Sequence, residues 1–92
     1  MTGTARSSAG LDARRRRALV RSWRRGIRET DLILGGFADA SIHALTDAEL
    51  CDYEALLEAQ DAEILSWFTG ACAVPDTFDT TVFRKILVSR IA

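Results

Sequence analysis

Ninety-two residues allow one small domain with a single core. A chain this short buries only about 60–65% of its unfolded surface, which leaves a thin stability margin and no room for a deep cofactor-sized cavity. At 48% hydrophobic and 27% charged residues, it is a globular sequence and not a disordered one.

The net charge of -1 conceals a split. Residues 1–28 hold nine arginines and one acid, Asp12, for a charge of +8; residues 29–92 carry -9. Such a bipolar chain can offer a basic face to an acidic partner. One proline and an abundance of helix formers point to an all-α fold. Cys51 and Cys72 form no CxxC pair and read as reduced thiols of a cytosolic or matrix-like compartment. No run approaches the roughly 18 apolar residues of a membrane span, so membrane insertion is not expected. The early arginines are followed by no secretory apolar region, and they run straight into the first helix. A bacterial cytoplasmic location is therefore expected over a mitochondrial one with a cleaved leader.

Residues 1–10 are small and polar without periodicity, and read as a mobile tail before a single domain over 11–92. From Leu11 the pattern turns helical. A first helix is expected from about 12 to 25, with Leu11, Ala18, Leu19, Ser22 and Trp23 near one stripe, stopping at Gly26. A second should run from about 28 to 43, with Ile27, Leu32, Leu34 and Phe37 buried. Gly35-Gly36 inside it implies either a bend or a closely packed backbone. Thr46-Asp47-Ala48-Glu49 is a capping box that opens a third helix to about Glu58, facing the core with Leu50, Tyr53, Ala55, Leu56 and Leu57. Asp61 is placed to cap a fourth helix, closed by Gly70. After a loop over 71–77, Asp76 or Asp79 should cap a fifth, whose Val82, Phe83, Ile86, Leu87 and Ile91 share a face. Trp67, Phe68, Phe83 and Leu87 are expected to be buried together, and Arg84, Lys85 and Arg90 to suit the C-terminal end of the fifth helix. The sum is a bundle of about five helices.

Enzyme signatures are missing. His43 has no ligand-like neighbours, and there is no phosphate loop, HExxH motif or nucleophile–histidine pattern. No catalytic or metal-binding residue is expected. Arg14 to Arg17 suit a solvated face, a protein partner or a nucleic-acid contact. The run lacks interleaved aromatics for base stacking, and the rest of the chain is acidic. A nucleic-acid-binding or antitoxin-like helical module using this helix is the alternative to a protein-binding one.

The sharpest transition is Arg24-Arg25-Gly26-Ile27-Arg28-Glu29-Thr30-Asp31, read as a corner between two helices. Gly26 enters the left-handed region without steric cost, and Glu29 and Asp31 favour the start of the next helix. Arg25-Gly26-Ile27-Arg28-Glu29 resembles the RGxxE motif of the succinate dehydrogenase assembly factor 2 family, the SdhE flavinylation factors of bacteria. The wider run RRGIRETDLILGGF, with Leu56-Leu57, Asp61 and Trp67 downstream, is similar to the family's pattern over roughly residues 14 to 90.

The resemblance implies an assembly chaperone, not an enzyme. It would bind the flavoprotein subunit of succinate dehydrogenase, with fumarate reductase a further candidate, and promote covalent attachment of FAD. The FAD would be held by the partner, with no cofactor bound stably by this chain. The motif residues Arg25, Gly26 and Glu29 would dock on the partner, with Arg24, Arg28 and Asp31 as neighbours. The free chain is expected to be a monomer, without a nucleic-acid partner.

Overall fold

The computed structural model describes residues 10–91. Five helices, and no strand, make up the described residues: α1 (Ala13–Trp23), α2 (Arg28–Ser41), α3 (Asp47–Leu57), α4 (Asp61–Thr69) and α5 (Thr81–Ile91). Short 3-10 turns at Ile42–Ala44 and Asp76–Phe78 join α2 to α3 and α4 to α5. The all-α bundle expected from the sequence is therefore the fold. The N-terminal tail, apart from Gly10, lies outside the described residues.

The strongest local signals form as expected. Glu49 N–H donates to Thr46 Oγ1 at 3.1 Å, and Thr46 N–H donates to Glu49 Oε1 at 3.0 Å, closing the capping box. Gly70 ends α4 in the left-handed conformation, at φ 83°. Two other caps differ. Gln60 precedes α4, and Asp61 is its first residue, because the Asp61 carboxylate is drawn to Arg25 instead. At α5 the Thr80 hydroxyl accepts from Phe83 N–H at 3.2 Å, while Asp79 pairs with Arg84. Arg84 and Lys85 stand in the first half of α5, where they reach back to Asp79 and Glu49.

The core joins Leu19 of α1, Leu34 and Phe37 of α2, Leu50, Tyr53, Leu56 and Leu57 of α3, Ile64 and Phe68 of α4, and Val82, Phe83 and Ile86 of α5. Phe68 and Phe83 stack at 4.6 Å between ring centroids. Trp67 and Leu87 are only partly buried; Trp67 covers the core's edge and stacks on Phe78 at 5.2 Å. Leu32 is exposed and Ile27 half-buried, against expectation. Three consecutive residues on a helix point about 100° apart, so Leu32, Ile33 and Leu34 cannot share the core face, and Leu34 takes it. Ala55 likewise faces solvent.

Gly35 accounts for the double glycine. An added Cβ there would lie 2.3 Å from Cδ2 of the Trp23 indole. The close approach is made by a side chain, not a backbone, and α2 stays helical from 28 to 41. This indole-on-glycine contact seats α1 against α2.

Candidate functional site

The α1–α2 corner contains the six residues singled out in the sequence. α1 ends at Trp23, and Arg24 N–H closes a tight turn onto the Arg21 carbonyl at 3.3 Å. Gly26 sits two residues beyond that cap with φ 106°, a backbone that side-chain-bearing residues rarely adopt. Ile27 then leads into α2, whose first turn carries Glu29 and Asp31.

The corner residues divide by direction. Arg25 turns inward, its side chain 10% exposed. Its Nε donates to Asp61 Oδ1 at 2.7 Å, Nη2 to the Ala59 carbonyl at 2.6 Å, and Nη1 to the Leu57 carbonyl. Its backbone N–H donates to Asp31 Oδ1 at 2.8 Å. The α1–α2 corner is thereby tied to the α3–α4 corner. Arg24, Arg28 and Glu29 are exposed and have no side-chain hydrogen bond or ion pair to other described residues. Gly26 is exposed between them, and a Cβ there would come within 3.5 Å of Asp61 Oδ2, an ordinary contact. What demands glycine at 26 is therefore the positive φ and not a lack of space. Arg24, Gly26, Arg28 and Glu29 form an outward polar surface; Arg25 and Asp31 are engaged within the fold.

Beneath the corner lies a small buried polar cluster. Ser22 Oγ is 2.7 Å from the Ala18 carbonyl and 2.5 Å from Tyr53 Oη, which is 3.2 Å from the Leu34 carbonyl. Two hydroxyl hydrogens are shared over these three contacts. Burial pushes the Tyr53 phenol well above its ordinary value, with the Ser22 hydrogen bond opposing the shift. The Thr30 hydroxyl is buried without a partner among the described residues.

The arginine helix is largely committed to its own fold. Arg14 grips Glu54 through Nε at 2.9 Å and Nη2 at 2.7 Å. The pair holds the Glu54 carboxyl below, and the Arg14 guanidinium above, their ordinary values. Arg15 donates to the carbonyls of Ile42 and Leu45 at 3.1 and 2.6 Å, Arg16 to that of Leu11 at 2.6 Å, and Arg21 pairs with Glu58. Glu54 lies on α3 and Glu58 one turn farther, at the residue that caps its end, so a basic row on α1 faces an acidic row along α3.

The described residues contain no cluster of three or more acids, histidines or cysteines able to hold a metal ion. None of their helices is long and apolar enough to cross a membrane. Both cysteines are free and exposed.

A family model described as flavinator of succinate dehydrogenase, Sdh5, matches residues 16–89. The chain belongs to this family. Among Sdh5 relatives, the mitochondrial succinate dehydrogenase assembly factor 2 of Dictyostelium discoideum is 38% identical over 76 residues, covering 83% of this chain and 54% of that protein. The FAD assembly factor SdhE of Acetobacter pasteurianus is 39% identical over 77 residues, covering 84% of this chain and 71% of that protein. The mitochondrial assembly factor 2 of Candida glabrata is 42% identical over 64 residues, 70% of this chain and 42% of the relative. The chain thus spans about half the length of the Dictyostelium relative and less of the Candida one. All three carry the names of assembly factors.

Asp61 is the site residue that sequence reasoning missed. It was legible as a cap and as part of the family spacing, but nothing local ties it to Arg25, 36 residues earlier.

Proposed function

We propose that this chain is an assembly chaperone that docks on the flavoprotein subunit of succinate dehydrogenase and promotes covalent attachment of FAD there. The observation that carries the proposal is the outward surface at Arg24, Gly26, Arg28 and Glu29. Three charged side chains without partners among the described residues surround an exposed left-handed glycine, at the residues that resemble the family's motif. Exposed charges at a fixed corner suit electrostatic recognition, and arginine forks suit carboxylates on a partner.

The flavin and the linking chemistry belong to the partner. This chain's leverage is preferential binding to one arrangement of the flavoprotein, which shifts its population toward the arrangement competent for attachment. Its location follows that of the flavoprotein. A nucleic-acid role is disfavoured by the commitment of Arg14, Arg15 and Arg21 to intramolecular acceptors.

The test is a binding titration of the purified flavoprotein subunit with wild-type chain and with Glu29→Ala. Removing one member of a desolvated charge pair costs about 2–5 kcal/mol of affinity, whereas a solvated first-turn acid costs under about 1 kcal/mol of stability. Glu29→Ala should therefore lose most of its affinity while its melting curve barely moves. Unchanged affinity would remove the corner as the docking surface.

A further inference from the structure

We propose that Arg25 and Asp61 are positioning residues that hold the α1–α2 corner in its docking shape, and that the partner contacts Arg24, Arg28 and Glu29 and not the Arg25 guanidinium. The inference rests on the docking assignment above and divides its motif into a lock and a surface.

The Arg25 side chain is placed where its charge is wanted. Leu57 is the last residue of α3, whose terminal carbonyls lack helical partners, and the guanidinium donates to Leu57 and to Ala59 just beyond it. Asp61 opens α4, where a negative charge is favoured. The ion pair therefore lies across the α3–α4 corner with a helix end supporting each member. With 10% and 15% of the two side chains exposed, little water competes for it. Turning Arg25 outward to a partner would strip three acceptors at once, and leaving such groups unpaired is costly.

The same lock shapes the corner. Asp31 holds the Arg25 backbone N–H from the α2 side, while Asp61, Leu57 and Ala59 hold the side chain from the other. Gly26, immediately after, adopts its positive φ outside any helix. Its conformation depends on these flanking ties, and Arg24, Arg28 and Glu29 project from the chain so fixed.

A lock and a contact residue leave different kinetic signatures. Releasing the lock lowers the fraction of chains with a competent corner, so apparent affinity falls by that fraction through slower association. Losing a direct contact mainly speeds dissociation.

The experiment measures both rate constants on immobilised flavoprotein subunit for the wild type, Arg25→Lys, Asp61→Asn, their double variant, and Glu29→Ala. Circular dichroism melts give each variant's folded fraction at the assay temperature, and rates are compared per folded chain. Asp31→Ala, which removes the acceptor of the backbone tie alone, serves if either lock variant fails to fold. Arg25→Lys and Asp61→Asn should each slow association about tenfold with dissociation within about twofold of wild type. The double variant should be no worse than the poorer single one, because both break one device. Glu29→Ala should instead dissociate faster. Wild-type kinetics for Asp61→Asn beside fast dissociation for Arg25→Lys would overturn the inference, since Arg25 would then touch the partner directly. Asp31→Ala, used in their place, overturns it by keeping wild-type association. Absence of binding by the wild type would overturn the docking assignment and the inference together.

Discussion

Gly35 and Gly36 are adjacent in one helix, yet their replacement by alanine should shift stability in opposite directions. Alanine in a helix interior is worth about 0.8–1.0 kcal/mol over glycine. At Gly36 a Cβ meets nothing within 4 Å, so the gain is kept. For a domain of this size that raises the melting temperature by about 4–8 °C. At Gly35 the Cβ would lie 2.3, 2.4 and 2.7 Å from Cδ2, Cε2 and Cε3 of Trp23. Carbon atoms pack at about 3.5–4.0 Å, so the rigid indole must retreat by more than about 1 Å. Retreat disturbs its packing on the core and its 3.4 Å hydrogen bond to Asp39. Overpacking of this kind costs about 1–3 kcal/mol. Set against the propensity gain, and with an indole that cannot bend aside, the result should be a net loss of up to about 2 kcal/mol. Thermal and urea melts followed by circular dichroism measure both variants. In a Trp23→Ala background the clash disappears, and Gly35→Ala should become stabilising. A Gly35→Ala protein that melts at or above the wild type would refute the packing described for Trp23.

Two further outcomes follow from the core and its charges. Phe68→Ala, which empties a stacked and buried position, should cost about 3–5 kcal/mol, while Trp67→Ala at the core's edge should cost less; equal urea midpoints for the two would contradict their different burial. Because burial raises the Tyr53 phenol above its ordinary 10.0, its contribution is full below pH 10 and is lost as pH rises beyond it. Because Arg14 lowers the Glu54 carboxyl below its ordinary 4.5, that contribution is full above pH 4.5 and is lost as pH falls. Tyr53→Phe should flatten the alkaline limb of a stability–pH profile and Glu54→Gln the acid limb; unchanged limbs would contradict these assignments.

What the sequence made legible was local. The Thr46–Glu49 box and Gly70 act within one helical turn of themselves, and both sit where their chemistry placed them. Arg25 is the opposite case. Adjacent to Arg24 and in the same motif, it points the other way, because its acceptors come from residues 57 to 61 and no helical period records them. Asp61 is a good capping residue by type, and that local preference lost to a buried guanidinium. Gly35 was ambiguous because its neighbour Trp23 arrives from across the corner. Arg14 looked free because its acid, Glu54, lies on α3, 40 residues downstream.

The role proposed for the outward corner is promotion of flavin attachment on the partner. Its most direct measurement is covalent flavin on a co-expressed succinate dehydrogenase flavoprotein subunit, read by fluorescence after denaturing electrophoresis. The assay compares the wild type with Glu29→Ala and Gly26→Arg, each verified as folded by circular dichroism. The expected result is a strong flavin band with the wild type and little or none with either variant. Normal flavin attachment with both folded variants would contradict the assignment of this corner as the functional surface.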